Sequence, residues 1–109
     1  MIKLKGGIRL LGIKPEIVLA SQVVTSVYEH MGHHCRITSG IEGTHSWGSE
    51  HYVGNALDYG LNDITPVEHR AKIVAMVKEA LGEDFDVLHE LAGSPGEHLH
   101  VEYDPKASY

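Results

Sequence analysis

The sequence is short of what would tie it to an oxidising compartment, a membrane or a nucleic acid. Cys35 is its only cysteine, so an intramolecular disulfide and a cysteine-rich zinc framework are both excluded. Two residues from apolar Ile37, it reads as a small core side chain. Long apolar runs are missing: the longest, Ile73 to Val77, has five residues, against the roughly 20 that span a bilayer. Positive charge is scarce. Nine Lys and Arg stand against fifteen Asp and Glu, a formal charge of −6. Binding phosphate backbones or anionic headgroups needs clustered cations, so neither nucleic acid nor a membrane surface is expected as a partner. Lys3, Lys5 and Arg9 begin the chain, but Lys14 and Glu16 break the next stretch before an apolar run can build, which does not read as a signal peptide. The expectation is a product that stays in the cytoplasm until another system releases it. Histidine, by contrast, is plentiful, with nine residues in an acidic chain. That excess points to a metal, a pH response or surface composition.

With 109 residues, 42% apolar and 22% charged, the chain reads as one globular domain over 1–109, without repeats. Residues 1–14 read as an irregular lead-in. Pro15 suits a first helical turn, and Ile17, Ala20, Val24, Val27 and Met31 recur at helical steps. Cys35–Ser39 and Ala56–Leu61 read as strands around a glycine-rich loop over 40–54. Thr65-Pro66-Val67-Glu68 offers a capping box. It leads a helix striped by Val67, Ala71, Val74, Val77 and Leu81. Phe85–Leu91 and His98–Tyr103 read as the last strands, joined by a turn. Helices that do not alternate one per strand predict an α+β fold: a small antiparallel sheet with two main helices against it.

Strand alternation then groups the chemistry. In His98–Tyr103 it sets His98, His100 and Glu102 on one face, against Leu99, Val101 and Tyr103. In the 56–61 strand it sets Ala56, Asp58 and Gly60 against Leu57, Tyr59 and Leu61. If these strands are neighbours, Asp58 and His100 converge, and His51 lies near enough in sequence to reach the same point. Two imidazoles and a carboxylate suit a catalytic zinc ion with an open position. Glu97, three residues before His100, is the candidate general base, and Glu90 at the end of the preceding strand is the second choice. The plain alternative is that the histidines are only solvent-facing and Asp58 a surface carboxylate. Gly54 and Ala56 weigh against it, because a merely solvated strand needs neither residue.

Ser49-Glu50-His51-Tyr52-Val53-Gly54-Asn55-Ala56-Leu57-Asp58 fills every fixed position of an S-x-H-x-x-G-x-A-x-D motif. With Glu97-His98-Leu99-His100 downstream, the chain resembles the zinc D-Ala-D-Ala carboxypeptidase and L-alanyl-D-glutamate peptidase family, of the hedgehog/DD-peptidase fold, and in particular its short phage-encoded members. The resemblance runs over about residues 15 to 105. It implies one zinc ion held by His51, Asp58 and His100. It also implies Glu97 as acid/base, His98 beside the metal and Ser49 as a supporting hydrogen-bond group. The activity implied is hydrolysis of peptidoglycan stem peptides by a monomer reaching the wall after release, as in phage lysis. A non-catalytic zinc-binding module of the hedgehog type is the alternative. Relatives carry an arginine shortly after the Ser-Gly pair; here Ser39-Gly40 is followed by Ile41 and Glu42. Arg36 and His45 are the candidates for its substrate-facing role. Trp47 and Tyr52 either line the substrate groove or pin the loop.

Overall fold

The computed structural model describes residues 2–40 and 54–105. Their elements run β1 (Ile2–Leu4), α1 (Pro15–His30), β2 (Cys35–Ser39), β3 (Ala56–Gly60), α2 (Glu68–Leu81), β4 (Phe85–Glu90) and β5 (His98–Tyr103). The strands form one sheet in the order β1-β2-β3-β5-β4. The architecture is α+β, as expected, but two details of the sequence reading change. The sheet is mixed, because β1 lies parallel to β2 at one edge while every other pair is antiparallel. The first fourteen residues are therefore not irregular throughout. Three residues are too few to carry a periodic signal, and their pairing with Cys35–Ile37 is made by backbone groups distant in sequence.

Both helices cover the same face of the sheet. Leu57, Tyr59, Leu99, Val101 and Val87 point into a core that α1 fills with Ile17, Ala20, Val24, Val27 and Tyr28, and α2 with Ile73, Val74 and Val77. The period-2 pleat sends alternate strand residues to opposite faces, so the intervening polar residues fall on the face without helices. The two buried phenols keep hydrogen-bond partners, as buried polar groups must. Tyr59 shares a 2.6 Å bond with the Ser21 hydroxyl, and Tyr28 donates to the Gly60 carbonyl at 3.0 Å. Burial drives both phenols far above their ordinary pKa. It also pushes the Cys35 thiol up to about 11, in keeping with an inert core residue.

Helix α2 departs from its expected phase. Val67 is exposed, as is Ala71, whereas Ile73 is fully buried. The inward face runs Arg70, Ile73, Val74, Val77 and Leu81. Its first member is an arginine, which hides the stripe from a reading of apolar residues alone. The capping box does not form either. The helix starts later than expected, with Val67 at the N-cap and no side-chain bond there; His69 N and Arg70 N donate to the Pro66 and Val67 carbonyls. Near the start of α2 the His69 ring meets that of His33 at 2.9 Å.

Gly54 enters β3 at φ 76°, a backbone region that favours glycine. A Cβ there would lie 2.3 Å from the Gly12 carbonyl oxygen, and the Gly54 carbonyl accepts from Lys14 N at 2.9 Å. Gly54→Ala is expected to destabilise the fold by about 1–3 kcal/mol through backbone strain, read from urea denaturation. An unchanged midpoint would contradict this account of the position.

Candidate metal centre

The β3–β5 register sets Asp58 opposite His100 and Gly60 opposite His98, and the β4–β5 register sets Glu90 opposite His98. Asp58, His98, His100 and Glu90 consequently meet on the helix-free face. His100 Nδ1 lies 2.8 Å from Asp58 Oδ1, and its Nε2 lies 2.9 Å from Glu102 Oε1. His98 Nε2 is 2.9 Å from Glu90 Oε1 and 3.7 Å from Asp58 Oδ2. Asp58, Glu90 and His98 each offer a ligand atom within 4.8 Å of one another. The convergence of Asp58 and His100 inferred from alternation is thus present.

The carboxylates of this cluster favour positive charge on their neighbours. Burial opposes the charged form of His100, yet the hydrogen bonds it donates to Asp58 and Glu102, with the nearby charges of Asp58 and Glu90, outweigh it and raise the imidazole to about 9. Several carboxylates around two half-buried imidazoles favour any positive charge placed among them. The donor set itself, mixed nitrogen and oxygen on a rigid sheet, is chemically suited to zinc and to neighbouring divalent ions. Among the described residues one other group gathers three donors, Asp86, Glu102 and Asp104. It has only carboxylates and lies toward the far end of the same strands.

Glu97 lies at the wall of the cleft beside this cluster. It precedes β5 with the parity of Leu99 and Val101, and its carboxylate turns toward α2. Arg70 Nη1 reaches Oε1 at 2.6 Å, Gly93 N donates to the same oxygen at 3.2 Å, and His89 Nε2 meets Oε2 at 2.5 Å. The residue is only 4% exposed. Burial alone would raise its pKa, but the bonds from His89, Gly93 and Arg70 outweigh that and hold the carboxyl below its ordinary 4.5. By linkage, a carboxylate with a lowered folded-state pKa contributes stability above its unfolded value, and loses it as the pH falls through the folded one. Glu97→Gln should therefore melt below the wild type at neutral pH, the gap narrowing on acidification below 4.5. A gap that stays constant down to strongly acidic pH would refute the ion-paired state.

A cleft of about 590 Å³ borders the cluster, lined by Lys5, Arg36, Asp58, Gly60, Glu97 and His98 among others. Arg36 lies across Gly60, where an added Cβ would come 2.3 Å from Nη2. The guanidinium is held there by Asn62 Oδ1 at 2.7 Å and by Asp63. Arg36 therefore lines the cleft beside Asp58 and His98. His51, the third expected ligand, lies outside the described residues, as do His45, Trp47, Ser49 and Tyr52.

In the sequence Glu90 stands only as a second candidate base, and nothing there singles out Arg70 or His89. Alternation along β4 groups Glu90 with Leu88 and Asp86, a local signal; the pairing of Glu90 with His98 across a seven-residue connection is not local. No family model, curated protein or solved structure matches the chain at a significant level.

Proposed function

We propose that this chain is a zinc-dependent peptidase of the hedgehog/DD-peptidase type. Its substrates would be peptidoglycan stem peptides, cut as a D,D-carboxypeptidase or an L-alanyl-D-glutamate endopeptidase. The observation that carries the reading is the meeting of Asp58 and His100 at 2.8 Å on the helix-free face, with His98 and Glu90 beside them. Asp58 and His100, with His51 of the same motif, would hold the metal. When bound, such an ion acts as a Lewis acid toward water and the scissile carbonyl.

The remaining chemistry belongs to side chains. Hydrolysis needs a carboxylate that takes a proton from the attacking water as the C–O bond forms. It then delivers that proton to the leaving amine as the C–N bond breaks. Glu90 fits this role better than Glu97. It shares a face with Asp58 and bonds His98, whereas both carboxylate oxygens of Glu97 are occupied by Arg70, Gly93 and His89. His98, bonded to Glu90, would orient that carboxylate. Arg36 at the cleft wall supplies a cation for a substrate oxygen, the part taken by the arginine that relatives carry after the Ser-Gly pair.

Purified cell walls provide the test. Loss of turbidity that stops with chelator and returns with added zinc is expected, and mass analysis of the released fragments identifies the bond cut. Bound zinc without cleavage of any stem peptide would support the non-catalytic zinc module instead. Products cut between sugar and peptide would require a different enzyme class.

A further inference from the structure

The edge strand β1 brings a cation to the cleft beside the metal centre. It pairs with β2 in register, Ile2 with Cys35, Lys3 with Arg36 and Leu4 with Ile37. Lys5 N continues the ladder to the Ile37 carbonyl at 3.0 Å. Cys35 and Ile37 are buried in the core, so alternation puts Lys3 and Lys5 on the helix-free face with Arg36. Lys5 lines the same cleft as Arg36, Asp58 and His98. The cleft is thus divided by charge. Lys5 and Arg36 stand on the β1–β2 side, and Asp58 and Glu97 on the side of β3 and β5. Arg36 is engaged by Asn62 and Asp63. Among the described residues, the Lys5 ammonium has no hydrogen-bond or ion-pair partner.

We infer that Lys5 is a specificity-determining residue, whose ammonium receives a carboxylate of the substrate on the β1–β2 side of the metal centre. The inference rests on the peptidase reading above. Asp58 and Glu97 repel an anionic group from their side of the cleft, and the opposite wall offers it complementary charge. Adjacent strands lie about 4.8 Å apart, so β1 and β3 are separated by roughly 10 Å, about three residues of extended peptide. The carboxylate therefore belongs to a residue within about three of the bond cut. Two sources share that chemistry: a free C-terminus, and the α-carboxylate of a glutamate linked through its side chain. An edge strand also carries lysine simply to deter pairing with other chains. That role predicts no discrimination between substrates.

Hydrolysis of synthetic stem peptides by the zinc-loaded full chain separates these accounts. The peptides share one sequence: one has both carboxylates free, one is amidated at the C-terminus, and one is amidated at the glutamate α-carboxylate. Lys5→Gln is expected to raise KM about 10-fold on the first with kcat near wild type, the lower range for a hydrogen bond to a charged group. The variant loses nothing on the peptide whose amide replaces the carboxylate that Lys5 meets, which tells the two sources apart. Added salt is expected to narrow the wild-type preference, and Lys5→Arg, which keeps the charge, to retain it. Lys5 is exposed and its main-chain bond does not need the side chain, so both variants are expected to fold. Wild-type KM for Lys5→Gln on every peptide, or an equal rise on all three, would overturn the inference and leave the peptidase reading standing. Failure of the wild type to cut any of the three would remove that reading and this inference together.

Discussion

Asp58→Asn is expected to cost the chain its bound metal, with affinity falling by more than about 100-fold, beyond what the loss of an outer-shell partner produces. Geometry and charge both lead to this result. Asp58 is the carboxylate shared by both histidines of the site, at 2.8 Å from His100 Nδ1 and 3.7 Å from His98 Nε2. It lies on one of the three adjacent strands that carry the donors, and its side chain is only 13% exposed. Replacing the carboxylate by an amide keeps the shape but removes the negative charge that favours a cation there. No other residue of its strand can substitute, because Ala56 and Gly60 occupy the remaining positions on that face of β3. Equilibrium dialysis followed by elemental analysis gives the readout. Metal content equal to wild type would mean that the cluster is an ion-pair network and no more.

Glu90→Gln is expected to keep the metal and lose hydrolysis, by about 100- to 10,000-fold in kcat, the usual contribution of a positioned acid or base. Glu90 is the most exposed member of the cluster, at 43% for its side chain, so its replacement removes little packing and the fold should persist. Its Oε1 lies 2.9 Å from His98 Nε2 and 4.0 Å from His100 Nδ1, within reach of a water held among these groups. Retained metal with lost turnover on a stem peptide assigns the proton transfer to Glu90. Full turnover would return that role to Glu97, the residue that the motif favours. Loss of metal instead would make Glu90 a ligand, completing the Asp58, Glu90 and His98 group.

The two glutamates, Glu90 and Glu97, show why part of the site is legible in the sequence and part is not. Asp58, His98 and His100 can be placed on one face because side chains alternate along a strand whatever it packs against. Apolar Leu57, Tyr59, Leu99 and Val101 declare which face is the core. The same parity sends Glu97 to the core side with Leu99. Its spacing to His100 suggests a catalytic role all the same, since it lies one residue outside β5, where alternation is not assured. Arg70 is hidden for a related reason. An arginine turned half-buried toward the core is expected only where a partner exists, and its partner lies 27 residues away in sequence.

The fold itself divides in the same way. Both helices, four of the strands and the α+β class follow from local periodicity, which short-range sterics and burial enforce within each segment. The parallel edge strand, the α2 phase that begins at Arg70, and the pairing of Glu90 with His98 do not. Each depends on which distant backbone groups or charges complete the hydrogen bonds. Sequence alone established an acidic, histidine-rich domain whose strands show imidazoles and a carboxylate to the side away from the core. Tertiary structure decided which acidic residue joins them and which is tied to the helix, because strand register and buried ion pairs are set by contacts between segments that no local pattern contains.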